Sequence, residues 1–104
     1  MNNEEFNYLK GLFEELKATM KKYGNEYHIH MFRGLCDIVN IMNSDLTYEE
    51  KKVLILDRYD NINFSRGGLY EFYVYLPGEP EKMLELNLSL EKLKDEIAAM
   101  VKKL

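Results

Sequence analysis

The chain has 104 residues, 46% hydrophobic and 31% charged, with a formal net charge of −4. Those proportions exclude a disordered chain and fit one folded domain, 1–104, large enough to bury a core without disulfides or metal. The acidic balance offers no attraction to phosphate backbones, so nucleic acid is not expected as a partner, and a basic protein is modestly favoured.

Taken in order, the first expected element is a helix from about Glu4 to Tyr23. Phe6, Leu9, Phe13, Leu16 and Met20 recur at spacings of three and four, with Leu12 broadening the stripe. Glu4 and Glu5 open it and Lys17, Lys21 and Lys22 close it, as the helix dipole prefers. Gly24 supplies a stop and Asn25 a start for the next element. Gly11 is a local weakness of this helix and leaves room for a neighbour to approach closely.

From Glu26 to Met42 the apolar residues lie nearly all round the helix, which predicts a central, buried one. Phe32, Leu35, Cys36, Val39 and Met42 form its main stripe. The alternation Tyr27, Ile29, Met31 leaves a strand start open there. Thr47 with Glu50 reads as a capping box, predicting a third helix over Tyr48–Tyr59.

Asn61 to Gly68 is rich in turn formers, with Gly67 and Gly68 as a structural turn. Leu69–Leu76 reads LYEFYVYL, whose aromatic and β-branched content predicts a strand. Alternation would put Tyr70, Phe72, Val74 and Leu76 on one face and Leu69, Glu71, Tyr73 and Tyr75 on the other. Pro77–Pro80 is a turn. Beyond it a return strand near Lys82–Leu86 is expected, completing a hairpin over about 69–86, then a helix capped by Asn87 or Ser89 and running over Leu90–Lys103. The expected class is therefore α+β and α-rich: three helices, a short strand or hairpin, and a closing helix.

Little in this order points to chemistry. His28 and His30 diverge on a helix, and beyond the single Cys36 there is no second Cys and no third His to complete a zinc set, so no metal site is expected. Cys36, the single cysteine, reads as a packing residue. Arg66-Gly67-Gly68 resembles an anion nest, but phosphate loops follow a strand and open a helix, and here the order is reversed. Asp37, Asp57, Asp60 and Glu71 have no spacing that separates them from surface carboxylates. Neither catalytic residues nor a cofactor are therefore expected. With one cysteine, no basic-apolar leader at Met1–Glu5 and no membrane-length apolar run, the expected compartment is the cytoplasm.

The remaining signal is Arg66, Tyr70, Glu71, Tyr73 and Tyr75, rich in the residue types enriched where proteins bind one another. The stretch Leu54–Tyr59, Gly67-Gly68-Leu69-Tyr70, Tyr73-Val74-Tyr75 and Asn87 ahead of Leu90 and Leu93 resembles a small bacterial domain family found among immunity proteins of polymorphic toxin systems. In that family N-terminal helices lead to a glycine-rich turn, a short strand and a closing helix. The resemblance implies a cytoplasmic inhibitor of a toxin domain without catalysis of its own. The leading expectation is a non-enzymatic protein-binding module of that immunity type. The alternatives are a small ligand-binding or enzymatic domain with a pocket near Gly67-Gly68, and a homodimeric scaffold built on a strand edge.

Overall fold

The first helix, α1, spans Asn3–Tyr23 and begins one residue earlier than its acidic residues suggest, because Asn2 caps it. Glu5 N–H donates to Asn2 Oδ1 at 2.8 Å and Asn2 N–H to Glu5 Oε1 at 3.2 Å, a reciprocal box that satisfies two otherwise unpaired amides. Its predicted stripe is the buried one, through Leu9, Leu12, Phe13, Leu16 and Met20, with Phe6 partly covered. Gly24 stops it, and Asn25 accepts from Tyr27 N–H to open a 3-10 turn over Glu26–His28.

A computed structural model describes residues 1–64 and 68–104, with Phe64 and Tyr70 described by backbone only. Helix α2 covers Ile29–Met42 and α3 covers Tyr48–Phe64. The strand start considered at Tyr27-Ile29-Met31 is thus a 3-10 turn running into a helix. Helix α3 carries the expected Thr47–Glu50 box, with Glu50 N–H donating to Thr47 Oγ1 at 3.2 Å. It runs five residues past Tyr59 because Tyr59 and Ile62 are both buried and prolong its core face.

Helix α2 is central, packing on α1 and on α3. Its buried stripe is Met31, Leu35, Ile38, Val39 and Met42, rotated from the expected one, so Cys36 and Phe32 sit only half-buried at its margin. Gly11 does not permit a close approach: a Cβ there would meet nothing within 4 Å. The close approach is at Gly34 instead, where a Cβ would lie 2.3 Å from Ile62 Cγ2 of α3.

Helix α4 spans Pro80–Val101 without a break. It runs antiparallel to α1, as Tyr8 donating to Glu96 and Lys103 pairing with Glu5 at 3.6 Å require. Phe6 meets Tyr48, and Phe13 meets Tyr59, edge to face with centroids near 6 Å, so α1 and α3 run the same way. The four helices alternate in direction around one cluster of buried side chains.

Here the α+β expectation fails: no strand is present among the described residues. Leu69–Glu71 is a 3-10 turn, and 72–76 is extended but joins no sheet. The return strand expected at Lys82–Leu86 is helix, started by Pro80 in the first turn, where its missing N–H is no loss. The leucine alternation Leu84, Leu86, Leu88, Leu90 misled because its even spacing imitates a strand. Only Leu90 of these is fully buried and Leu86 is partly so, while Leu84 and Leu88 lie exposed on the outer face of α4.

Candidate functional site

The extended segment 72–76 lies along α4, and side chains of that helix take the place of a neighbouring strand. Val74 N–H donates to Asn87 Oδ1 at 2.7 Å, and Asn87 Nδ2 donates to Val74 O at 2.9 Å. Lys94 Nζ donates to Phe72 O at 2.7 Å, and Leu76 N–H points at Met83 Sδ at 3.4 Å. Met83, Asn87 and Lys94 lie within about 40° of one another around a helix of 3.6 residues per turn. A helical step of four residues, about 6 Å, matches a two-residue extended step of about 6.6 Å, so Asn87 and Met83 reach Val74 and Leu76. Lys94 spans its longer step with its longer side chain. Asn87 is therefore not the helix cap expected of it but an interior clamp.

The predicted alternation survives without the sheet over Glu71–Tyr75, whereas Leu69, expected on the outward face, is buried in the 3-10 turn. Phe72 and Val74 are buried at 1% and 0% exposure, and Tyr73 and Tyr75 stand out at 60% and 67%. Glu71 shares the outward face. These three, among the five residues expected to bind a partner, come together in one place. Arg66, and with it Gly67, lies outside the described residues, as does the side chain of Tyr70. Gly68 is buried and leads into the 3-10 turn at Leu69. Next to Gly68, Leu69 lines a small cavity of about 120 Å³ with Tyr59 and residues of α4, while the pocket expected beside Gly67 falls partly outside the described residues.

Glu71, Tyr73 and Tyr75 form one wall of an open groove of about 530 Å³ whose other wall is Tyr23, Asn25, Tyr27 and His28. The sequence reasoning missed this second wall. Residues 23–28 lie more than forty positions away, and nothing local marks them beyond a helix stop. Tyr27 OH donates to the Glu71 carboxylate and ties the walls together at one end. Lys22 Nζ sits 5.2 Å above the Tyr23 ring.

His28 forms the groove's inner corner. Its ring meets Phe72 at 5.1 Å and Tyr27 at 5.5 Å, both edge to face, and its Nδ1 accepts from Asn25 N–H at 3.4 Å. Burial holds the imidazole below its usual pKa, against a smaller upward pull from the Glu71 carboxylate. A neutral ring suits this setting, since Nδ1 must stay unprotonated to accept. His30 is exposed and flanks a separate basin with Arg33, Asp37 and Arg58. Asp57 and Asp37 face Arg58 at 2.5 and 4.0 Å. These pairs are exposed and worth little to stability.

The groove thus offers phenol rings, hydroxyls and a carboxylate on a rigid support, a set suited to recognising another molecule's surface. Among the described residues, no helix is long and apolar enough to cross a membrane. No family model, no curated protein and no solved structure matches the chain.

Proposed function

We propose that the chain is a non-enzymatic protein-binding module whose contact face is the groove between residues 71–75 and residues 23–28. One observation carries the reading: Tyr73 and Tyr75 are 60% and 67% exposed on a segment that Asn87 and Lys94 hold in place. Two large rings left in water on a braced backbone lose little conformational freedom when a partner covers them, which is what a binding hot spot needs.

The more specific reading is an immunity-type inhibitor acting in the cytoplasm and covering the active face of a toxin domain. It draws on the sequence resemblance and on the net charge of −4, which speeds encounter with a basic partner. The test is co-purification of a partner from the native host with the wild-type chain and with the Tyr73→Ala, Tyr75→Ala double variant. The expected result is a partner retained by the wild type at physiological salt and lost by a variant that melts at the same temperature. A partner held equally by both would remove the tyrosine face from the account.

A further inference from the structure

The extended segment has two edges, and among the described residues only one is occupied. Toward α4, the C=O of Phe72, both groups of Val74 and the N–H of Leu76 are taken by Lys94, Asn87 and Met83. In an extended chain the N–H and C=O of successive residues point to opposite sides. Those of Tyr73 and Tyr75 therefore point away from α4, and among the described residues nothing pairs with them. Two donors and two acceptors, two residues apart on exposed positions, make the edge of a strand that has no neighbour.

We infer that this edge binds an extended, lysine- or arginine-bearing segment of a protein partner, which adds to it as a strand. The inference rests on the protein-binding reading and states how the partner is recognised: main-chain bonds to Tyr73 and Tyr75 supply register, and the groove receives alternate side chains. Residues 23–28 form the other wall of the groove that Glu71, Tyr73 and Tyr75 line. Charge favours a cationic chain: the protein carries a net −4, and where the segment runs into α4, Glu79, Glu81 and Glu85 outnumber Lys82. The edge is also short, bounded by the 3-10 turn at Leu69–Glu71 and the turn at Pro77-Gly78, which limits uncontrolled strand pairing.

The experiment uses the full chain with a synthetic probe, acetyl-Lys-Val-Thr-Val-Lys-amide, and two analogues. One is N-methylated at both valines and the other at threonine and both lysines, so each loses the donors of one edge only. Titration followed by amide hydrogen exchange should show saturable binding that slows exchange at Tyr73 and Tyr75 and leaves Val74, already bonded to Asn87, unchanged. One analogue should lose about tenfold or more in affinity while the other binds like the parent. Equal binding by all three peptides, or no protection of the two tyrosine amides at millimolar probe, would overturn strand addition. The two readings fail separately. A native partner lost on Tyr73→Ala, Tyr75→Ala substitution but leaving those amides unprotected in its complex keeps the binding module and sinks the added strand. Protection by the probe, with a native partner indifferent to the alanine variant, keeps the edge and sinks the tyrosine face.

Discussion

Asn87, in the middle of a 22-residue helix, closes both main-chain hydrogen-bonding groups of Val74, at 2.7 and 2.9 Å. Asparagine is a poor residue for a helix interior because its side chain competes for backbone groups. Here that tendency is turned outward onto another segment. The primary amide presents a donor and an acceptor side by side, the same pair that a neighbouring strand residue would present.

Replacing Asn87 with alanine should destabilise the chain. Each lost bond is worth about 0.5–1.5 kcal/mol, and a main-chain group left unpaired under cover costs about 1–3 kcal/mol. The better helix propensity of alanine returns only about 0.7 kcal/mol or less. The expected net loss is about 2 kcal/mol, read as a lower urea midpoint. Asn87→Asp, which keeps the acceptor and loses the donor, should fall between wild type and Asn87→Ala.

Two glycine-to-alanine changes should act in opposite directions. At Gly11 the new methyl meets nothing within 4 Å, so the gain in helix propensity, about 1 kcal/mol, should appear as added stability. At Gly34 it would lie 2.3 Å from Ile62 Cγ2, a buried side chain that cannot move aside freely. Overpacking of that kind costs about 1–3 kcal/mol, enough to cancel or exceed the propensity gain. Denaturant melts of the two single variants give the comparison directly.

The exposed and buried members of the extended segment should separate cleanly. Tyr73→Ala and Tyr75→Ala should each change stability by about 0.5 kcal/mol or less, since both rings are in water. Phe72→Ala, at a fully buried position, should cost about 3–5 kcal/mol. If the tyrosine variants unfold as readily as Phe72→Ala, the rings are structural and the contact-face reading loses its support.

His28 sets a pH dependence. Its folded pKa is lowered by burial, so the unfolded chain binds the proton more readily, and stability rises with pH across the interval between the two values. The contribution is complete above the unfolded histidine value of about 6.5 and is lost as pH falls from there toward the folded value. Urea midpoints measured from pH 7.5 down to pH 5 should decline, and His28→Gln should flatten the histidine part of that decline. Glu71→Gln removes an upward pull and should move the folded His28 value lower still, steepening it.

Much of this architecture is legible along the chain, where local physics decides. The stripe of α1, the stop at Gly24, the Thr47–Glu50 box and the last four turns of α4 follow from helical spacing and capping chemistry. The in-and-out order of Phe72, Tyr73, Val74 and Tyr75 follows from a period of two, which holds for any extended chain. That same period could not say what the extended chain would lie against. The sequence suggested a return strand at Lys82–Leu86, and its even-spaced leucines are satisfied equally well by a helix that exposes half of them.

The choice belongs to the tertiary structure. Only when α4 packs antiparallel to α1 do Met83, Asn87 and Lys94 reach the backbone of 72–76, because a four-residue helical step and a two-residue extended step are nearly equal in length. The opposite wall of the groove, Tyr23 to His28, arrives by the same packing and has no signature of its own. The chain by itself determined which residues of the aromatic segment face water. The fold alone decided that they face a groove, and that one edge of the segment is closed by Asn87 while the other has no partner among the described residues.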